Sequence, residues 1–458
     1  MTEKRSLSRI RALRSITRDG GNTGCEEQAW YRMTLNPTVP LATLLPPEPA
    51  SCEETGLETS FLLDLLLKLL YTQGALPAYV LVEQLCLPYP HVVERVLSQA
   101  KREELVEVTG TNGLGELGYR YSLTSQGTRR AREALERNGY IGPAPVPFTA
   151  YLEVVQEQSL QRLRVQRDAL LAALGGLHFE QSLLEQLGQA LNSAHAIFLY
   201  GKPGNGKTAL AQRFAAMFGG TVLIPHAIII DQQIIRIFDP HVHHAIELPR
   251  RTIGDRRWVR CERPSVLVGG ELTLDAFDLK PSSQPGVMEA PIHLRANNGV
   301  LIIDDFGRQA FQPQALLNRW IIPLEERRDF LTLRNGKQIE VPWDGLLVLS
   351  TNLSPSALAD EAFLRRIPAK IALGNPSVQQ FAKIFEDQCR AFGIPFDPAG
   401  LAYLLRTHYV GKRELRACHP RDILRNLVGA AQFLGIEPRL TPALIDRACQ
   451  TYFVDHAR

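Results

Sequence analysis

The sequence lacks the features that tie a chain to a membrane or to an oxidising compartment, and it has no large excess of positive charge. Its 458 residues carry 51 Lys and Arg against 48 Asp and Glu, and this formal charge of +3 excludes a polycation. The seven cysteines form no C-x-x-C pair, which argues against a zinc site or a disulfide framework and favours the cytoplasm. The most apolar run, Phe61 to Tyr71, includes Asp64 and Lys68 and is far shorter than the roughly 20 residues that span a bilayer. We therefore expect no transmembrane helix and no membrane insertion.

The N-terminal segment is basic but has no apolar stretch behind its arginines, so it does not fit a secretory signal. Residues 1–58 combine these arginines with a Gly-Gly-Asn stretch and with Pro46, Pro47 and Pro49. This composition is typical of a flexible basic arm.

Residues 59–140 change to helix-length segments that are followed by a short hairpin. Turn residues separate the segments, and the Thr124 hydroxyl is suited to cap the last helix. The predicted elements are helices at Phe61–Tyr71, Tyr79–Cys86 and His91–Leu105, strands at Val106–Thr109 and Tyr119–Leu123, and a helix that ends at Arg137. This order resembles a winged-helix domain. Its third helix carries acidic as well as basic residues, so the pattern leaves both DNA binding and protein docking open.

Residues 141–176 begin with Gly142-Pro143-Ala144-Pro145-Val146-Pro147, a stiff connector that predicts a domain boundary. The following run from Phe148 to Leu174 predicts one long helix. Strand-like and helical runs then alternate over residues 177–375, which predicts an α/β fold with a parallel sheet covered on both faces. Residues 376–458 contain helical patterns only and predict a small helical domain.

The strongest signal is a complete G-x-x-x-x-G-K-T motif between the apolar strand Ala196–Tyr200 and the helical run Ala209–Phe218. Its glycines let backbone N–H groups surround a phosphate, Lys207 neutralises the β and γ oxygens, and the Thr208 hydroxyl is suited to Mg²⁺. The predicted nucleotide-binding residues are Gly201, Pro203, Gly204, Asn205, Gly206, Lys207, Thr208 and Ala209. The motif predicts ATP binding in a P-loop.

A second acidic element is expected at the end of another buried strand, because Mg²⁺ needs oxygen ligands and the attacking water needs a carboxylate. The run Val300–Ile303 leads directly into Asp304 and Asp305. We predict that Asp304 binds the metal together with Thr208, and that Asp305 points toward the γ-phosphate.

Together these motifs resemble those of the AAA+ ATPases over residues 177–458, and further motifs follow in the order of that family. Thr351-Asn352 after the strand Leu346–Ser350 is similar to sensor 1, which implies that Asn352 helps to hold the attacking water. The run 360–367 resembles the arginine-finger segment, with Arg365 or Arg366 as the finger. Arg421 in His419-Pro420-Arg421-Asp422 is similar to sensor 2 on the lid.

The resemblance implies a P-loop α/β core with a C-terminal helical lid, Mg-ATP as the substrate, and hydrolysis to ADP and phosphate. A finger that acts on the neighbouring subunit implies a homo-oligomeric ring, with six subunits as the expected number. One departure concerns Asp305, because the family usually has Glu at this position.

The segment before sensor 1 narrows the resemblance. A helical run from Gln314 to Arg328 leads into Asp329–Leu333 and Lys337–Val341, which flank Asn335-Gly336, a strong hairpin signal. A helix and hairpin at this place resemble the presensor-1 group, which includes the MoxR-type chaperones. An ordinary surface hairpin is the alternative.

The interval between Lys207 and Asp304 is longer than one helix and one strand require, so it contains an insertion. The insertion has two acids, Asp255 and Glu262, beside six arginines: Arg250, Arg251, Arg256, Arg257, Arg260 and Arg263. These arginines are suited either to contact a substrate in a ring pore or to form structural ion pairs.

Two functions fit these features. The first is a chaperone-like AAA+ ATPase that remodels a client protein complex. The second is a nucleic-acid-binding motor or regulator that uses the winged helix and the basic insertion on DNA.

Overall fold

The computed structural model describes residues 45–453 except 112, 114, 194, 248–253 and 359–360. Arg250 and Arg251 of the insertion lie outside this part of the chain. Within it, no helix has the length and apolar character needed to cross a bilayer. The six cysteines that it contains are all free thiols.

The N-terminal part has four helices and a three-stranded antiparallel sheet with the strand order β1-β3-β2. Their bounds are α1 Thr59–Gln73, β1 Leu76–Pro77, α2 Ala78–Leu85, α3 Glu94–Arg102, β2 Val106–Thr111, β3 Tyr119–Leu123 and α4 Ser125–Arg137. The Thr124 hydroxyl accepts a hydrogen bond from the Gly127 N–H at the start of α4, as predicted for a helix cap. The order of these elements agrees with the predicted one. The assignment of residues 59–140 to a winged-helix domain stays a prediction.

The predicted flexible arm does not extend over residues 45–58. Cys52, Thr55 and Leu57 are buried here, and the Asp255 N–H donates a hydrogen bond to the Pro46 carbonyl at 2.7 Å. This segment is ordered because it packs between the N-terminal helices and the insertion. Residues 1–44 lie outside the described residues.

The central part contains both larger sheets and the helices that cover them. Its elements are β4 Val146–Pro147, α5 Phe148–Glu157, α6 Arg167–Leu174, α7 Gln181–Ser193, β5 Ala196–Tyr200, α8 Lys207–Ala211, α9 Phe214–Phe218, β6 Thr221–Pro225, β7 Ala227–Ile230, β8 Gln233–Arg236, β9 Trp258–Glu262, β10 Ser265–Val268, β11 Lys280–Pro281, β12 Val287–Glu289, α10 Ile292–Arg295, β13 Val300–Ile303, α11 Pro313–Arg319, α12 Ile321–Glu326, β14 Arg328–Thr332, β15 Gln338–Pro342, β16 Leu346–Thr351, α13 Pro355–Leu358, α14 Glu361–Leu364 and β17 Ala369–Ala372.

The core sheet has five parallel strands in the order β10-β13-β16-β5-β17. Successive residues of β13 point to opposite faces, so Leu301 and Ile303 pack in one apolar cluster while Val300 and Ile302 pack in another. Burial on both faces explains why this strand is a continuous apolar run in the sequence. The predicted α/β fold with a parallel sheet is confirmed.

The insertion forms a second five-stranded sheet with the order β11-β12-β8-β7-β4. Its outer strand β4 comes from the connector, which therefore belongs to a sheet as well as joining two parts of the chain. Ala227, Ile234 and Val287 of this sheet pack in the same apolar cluster as α1 and α2. The N-terminal part is therefore fixed to the insertion by a shared core.

Two arginines of the insertion, Arg257 and Arg263, are buried and have structural partners. Arg257 is 5% exposed and forms a salt bridge with buried Asp255 at 2.8 Å, while its Nη1 donates to the Thr55 carbonyl. Arg263 is also buried and donates to the carbonyls of Gly219 and Asn298. The predicted structural ion pair is confirmed for Arg257, whereas Arg263 has backbone carbonyls as its partners. Both side chains are buried, so pore contact by these two is wrong.

The predicted long helix from Phe148 to Leu174 is wrong. It is divided into α5, a 3₁₀ turn at Leu160–Arg162 and α6. The Asp344 carboxylate accepts hydrogen bonds from the Ser159 hydroxyl at 2.8 Å and from the Leu160 N–H at 3.0 Å. These bonds stabilise a turn where the sequence pattern alone favours a continuous helix.

The predicted helix from Ala209 to Phe218 is also divided, into α8 and α9. Between them the Arg213 Nη1 donates to carbonyls at the C-terminal end of α6, including that of Ala173 at 3.2 Å. The predicted hairpin is present as β14 and β15, whose register pairs Phe330 with Glu340.

The C-terminal part is helical up to Phe453, as predicted. Its helices are α15 Val378–Ala391, α16 Pro398–Leu404, α17 His419–Leu434 and α18 Pro442–Tyr452. Ser377 and Gln380 form a reciprocal capping box at the start of α15. The helices pack around a separate apolar cluster that includes Phe381, Phe385 and Leu427.

Candidate nucleotide site

The G-x-x-x-x-G-K-T segment turns sharply between β5 and α8, and its glycines have positive φ angles. Gly201 has a φ of +141°, and a Cβ added there would lie 2.2 Å from the Leu373 carbonyl oxygen. Gly204 has a φ of +82°, and an added Cβ would lie 2.6 Å from the Cys418 Sγ. Only glycine meets both requirements, because other residues avoid this backbone region and no side chain fits the space.

Lys207 is the first residue of α8, and its side chain is largely buried in the loop. Its Nζ donates to the carbonyls of Gly201 and Lys202 at 2.9 and 3.0 Å, and to the Asn352 Oδ1 at 2.8 Å. Burial lowers the pKa of this ammonium, while the charges of Asp304 and Asp305 act in the opposite direction. The loop thus holds a cation with neutral acceptors that a phosphate oxygen is suited to replace.

Thr208 and the two acids lie next to this lysine. The Thr208 hydroxyl donates to the Asp304 Oδ2 at 2.6 Å, and the Asn352 Nδ2 donates to the Asp305 Oδ1 at 2.9 Å. Asn352 therefore bridges Lys207 and Asp305. Parallel strands place these groups together, because β5, β13 and β16 all end at the same edge of the core sheet.

Asp305 has a φ of +48°, in the left-handed region. Asp and Asn are enriched there among residues other than glycine, because their short polar side chains form local hydrogen bonds. The Asp305 N–H donates to the Asp304 Oδ1 at 3.0 Å. This backbone conformation gives a physical reason for a short acid at the position where the resembled family usually has Glu.

The C-terminal helical part, called the lid below, packs against the loop. The Cys418 N–H donates to the Gly204 carbonyl at 2.9 Å, and the Asn205 Nδ2 donates to the Asn375 Oδ1 at 2.9 Å. Lys202 and Glu414 form an exposed salt bridge across the same boundary. Arg421, in the first turn of α17, bonds to Asp422 at 2.9 Å, and this bond raises the pKa of its guanidinium.

The loop, the acids and the lid enclose a cavity of about 490 Å³. Of the predicted catalytic residues, Lys207, Asp304, Asp305, Asn352 and Arg421 line it. All predicted nucleotide-binding residues line it except Gly201, which shapes the loop behind Lys207: these are Pro203, Gly204, Asn205, Gly206, Lys207, Thr208 and Ala209.

Arg365 and Arg366 do not line this cavity. They follow α14 and precede β17, which begins at the edge of the core sheet opposite the P-loop. Arg365 is exposed, whereas the Arg366 Nε lies 2.6 Å from the Glu325 carboxylate.

Several residues that line the cavity are not among the residues predicted from the motifs. They lie in the segment before α7 and on the inner face of the lid, and they are Gly176, Leu177, His178, Phe179, Ile384, Gln388, Ala417 and Cys418. The His178 Nε2 lies 2.6 Å from the Asp387 Oδ2, which connects that segment to α15. No motif marks these residues, because only the folded lid brings them to the loop.

The donor set fits Mg²⁺. The cation prefers oxygen ligands and usually takes few from protein, with phosphates and water completing its shell. Thr208 and Asp304 supply a hydroxyl and a carboxylate that already lie within hydrogen-bond distance of each other. Within the described residues no cluster of three or more His, Cys, Asp or Glu side chains is suited to a metal, so a transition-metal centre is not indicated there.

Comparison with known proteins gives one short sequence match. Residues 377–451 match a family described only as a domain of unknown function, DUF8689. No curated protein matches the chain.

Solved structures that resemble the chain include NtrX from Brucella abortus, which is 13% identical, with a TM-score of 0.36. The match covers 60% of this chain and 57% of NtrX, so the chain spans little more than half of that protein's length. NtrX in complex with ADP is 13% identical over 77% of this chain and 62% of that one, with a TM-score of 0.36. The Thermotoga maritima RuvB Holliday junction branch migration motor is 13% identical over 60% and 70%, with a TM-score of 0.35. At scores this low, function has to be argued from this chain's own side chains.

Proposed function

We propose that this chain is an Mg-ATP-dependent ATPase of the AAA+ type, which hydrolyses ATP to ADP and phosphate. The observation that carries the proposal is the presence of Lys207, Thr208, Asp304, Asp305 and Asn352 around one cavity. A glycine loop, a lysine, a hydroxyl and two acids at the ends of parallel strands are the parts that phosphoryl transfer requires.

Each residue has a distinct role in this proposal. Lys207 exchanges its carbonyl acceptors for phosphate oxygens, and Thr208 and Asp304 hold Mg²⁺. When bound, the metal neutralises charge on the phosphates. Asp305 accepts a hydrogen bond from the attacking water and orients it, while Asn352 fixes the direction of the Asp305 carboxylate. Arg421 adds positive charge from the lid.

The position of Arg365 supports assembly into a ring, for which six subunits is the expected number. The strand β17 runs parallel to β5 toward the P-loop, and its length of Ala369–Ala372 spans roughly 13 Å at the usual rise per residue. Arg365 precedes that strand in the chain and does not line the nucleotide cavity of its own subunit. We infer that exposed Arg365 acts on the neighbouring subunit, while Arg366 anchors the segment to Glu325.

The first test is nucleotide binding and hydrolysis by the full chain. Lys207→Ala is expected to weaken binding of a fluorescent ATP analogue at least about tenfold, because it removes a charge-assisted contact. Asp305→Asn is expected to keep binding within about threefold and to lower kcat at least about a hundredfold.

Arg439→Gln is a matched control, since Arg439 forms an exposed pair with Glu437 on the lid surface. It is expected to retain wild-type binding and turnover. An Asp305→Asn protein with wild-type turnover would remove Asp305 from the mechanism. Lys207→Ala with unchanged affinity would overturn the nucleotide site itself.

We propose a protein complex as the client of this motor, in a chaperone-like remodelling role. Support comes from the N-terminal part, where cations that would otherwise contact phosphates have partners. Arg95 pairs with Glu53, Arg130 pairs with Asp64 and Glu103, and Lys101 lies over the Tyr121 ring. The burial of Arg257 and Arg263 lowers the basic charge of the insertion surface in the same way.

Two measurements separate the client classes. Asp305→Asn, which holds ATP without hydrolysing it, is expected to retain a specific protein complex in a pull-down that Lys207→Ala does not retain. Binding to duplex DNA is expected to be weak at low salt. Tight binding with a steep salt dependence, lost when residues 1–140 are removed, would favour a nucleic-acid motor instead.

A further inference from the structure

A second cavity, of about 480 Å³, lies at the edge of the core sheet opposite the nucleotide site. It opens where the strands β5 and β16 begin, beside the 3₁₀ turn that divides α5 from α6. Leu160, Leu191, Phe218 and Leu346 give it an apolar wall. Charged and polar side chains make up much of the rest of its lining.

Three basic side chains line this cavity: Arg164, Arg327 and His195. The half-buried Arg327 donates one hydrogen bond, from its Nη1 to the Gly345 carbonyl at 3.2 Å. A guanidinium has five N–H donors in a planar fork, so this one has capacity for further acceptors. Arg327 also has a φ of +58° at the end of α12, a backbone region that arginine seldom adopts.

Two acids near Arg327 have other hydrogen-bond partners. Glu325 is the one carboxylate among the described lining residues, and it pairs with Arg366 at 2.6 Å. The Asp344 carboxylate accepts bonds from Ser159, Leu160 and the Asn298 Nδ2. Arg164 and Arg327 outnumber Glu325 among the charged side chains that line the cavity, so its lining is positive on balance.

The pKa shifts of Arg327 and His195 agree with a lining that is positive on balance. Burial lowers the pKa of Arg327, although Asp344 acts in the opposite direction. Burial, followed by the charge of Arg327, lowers the pKa of His195. Both groups are therefore suited to gain from an anion beside them.

We propose that this cavity binds a small molecule with an oxyanion, a carboxylate or a phosphate, attached to an apolar body. The oxyanion lies between Arg327 and His195, where the planar fork of Arg327 matches two oxygens. The apolar body packs against the wall formed by Leu160, Leu191 and Phe218. This site is separate from the P-loop and does not depend on the proposed ATPase activity.

The test titrates the full chain with benzoate and with phenyl phosphate at constant ionic strength, by calorimetry. Because a phosphate also fits the P-loop, each titration is repeated with Lys207→Ala. Binding of either probe that persists in Lys207→Ala is the expected result. The probe that binds more tightly identifies the oxyanion as a carboxylate or a phosphate.

Arg327→Gln is expected to weaken this binding at least about tenfold, because it removes a charge-assisted contact. Arg327→Lys is expected to give an intermediate affinity, since it keeps the charge without the fork. Arg439→Gln, on the lid surface, serves as the control and is expected to bind as the wild type does. If Arg327→Gln fails to fold, as judged by circular dichroism, Arg327→Lys and His195→Gln decide the question.

Three outcomes would overturn the proposal. They are the absence of binding to the wild type, the loss of all binding in Lys207→Ala, and affinities in the arginine and histidine variants that equal that of the wild type.

Discussion

Asn352 connects the two charged groups that the proposed reaction uses. Its carbonyl oxygen accepts from the Lys207 Nζ, and its amide donates to Asp305. Alanine at this position removes both bonds, so Asp305 loses the partner that sets its direction. We expect Asn352→Ala to lower kcat about tenfold to a hundredfold, because a preorganised hydrogen bond of this type is lost. Steady-state ATPase assays with a coupled phosphate readout test this.

Asn352→Asp is a second test variant, because it keeps the size of the side chain but places a carboxylate beside Asp305. It is expected to be at least as slow as Asn352→Ala. Both variants are expected to bind nucleotide, because the loop backbone and Thr208 are unchanged. Wild-type turnover in Asn352→Ala would contradict the positioning role.

The base of the β14–β15 hairpin contains a buried charged cluster. Asp329 receives two hydrogen bonds from Arg319, at 2.6 and 2.7 Å, and lies 3.1 Å from the His293 Nε2. Burial by itself raises the pKa of Asp329, but the nearby His293 ring and the bonds from Arg319 outweigh it and lower this pKa to about 2. The cluster therefore ties the hairpin to α10 and α11.

This pKa predicts how the stability of the hairpin base depends on pH. Because the folded pKa of about 2 lies below the ordinary value of 3.8, the contribution of Asp329 is complete above pH 4 and is lost as the pH falls toward 2. The expected loss is about 2 kcal/mol relative to Asp329→Asn, which does not titrate. Urea unfolding followed by tryptophan fluorescence is a suitable measurement, because Trp320 and Trp343 lie near this cluster, with ring centroids 5.0 Å apart.

The comparison of wild type with Asp329→Asn removes the contribution of other carboxylates that titrate between pH 4 and 2. Wild type is expected to be the more stable protein at pH 5, and the difference is expected to shrink on acidification. A difference that stays constant from pH 5 to pH 2 would contradict the assigned pKa.

The docking of the lid on the P-loop depends on the close approach of Gly204 and Cys418. In Gly204→Ala the added methyl group meets the Cys418 Sγ and the backbone keeps an unfavourable φ, so the lid has to move away. We expect ATP affinity to fall at least about tenfold, since a shift of 1.4 kcal/mol is sufficient. Fluorescence anisotropy with a labelled ATP analogue measures the change.

Gly393→Ala is the matched control for backbone strain. Gly393 has a φ of +68°, yet no described residue lies within 4 Å of an added Cβ. It is expected to cost stability without a loss of ATP affinity. Cys418→Ala in the Gly204→Ala background is expected to recover part of the affinity, and an absence of recovery would argue against the steric explanation.

At the scale of elements, the sequence predicts those helices, strands and turns that are determined by residues close together in the chain. The strand, loop and helix around Lys207 follow one another in the chain, and Asp304 and Asp305 directly follow the strand Val300–Ile303. The sequence therefore predicts both the type of each element and the edge of the sheet at which these side chains lie. The division of the long helix was not, because Asp344 makes its bond to Leu160 across 184 positions of the chain. His178 and Gln388 were missed for the same reason, since they reach the cavity only when the lid packs on the core.

At the scale of the whole molecule, one chain places its candidate finger and its nucleotide site at opposite edges of the core sheet. Arg365 precedes β17, whereas the P-loop follows the far end of β5. In the proposed ring, a heterologous contact between identical subunits brings these two edges together, and repetition of that contact closes the ring. Complete active sites in the proposed ring therefore require assembly.

Mixing two inactive variants tests this arrangement. Arg365→Ala retains a nucleotide site but lacks the finger, whereas Lys207→Ala lacks the site but supplies Arg365. In equal mixtures that assemble at random, about a quarter of the sites pair an intact P-loop with an intact arginine from the neighbour. We expect the mixture to recover about that fraction of wild-type turnover while each variant alone stays near background.

The same mixture with Arg366→Ala in place of Arg365→Ala separates the roles of the two arginines. Arg366 anchors the segment through Glu325, so its loss is expected to disturb the position of Arg365 and to give partial activity without mixing. Assembly itself is checked by light scattering with Mg²⁺ and a non-hydrolysable ATP analogue. Mixtures of Arg365→Ala with Lys207→Ala that assemble and stay inactive would mean that Arg365 is not the finger, because about a quarter of their sites pair an intact P-loop with an intact Arg365 from the neighbour.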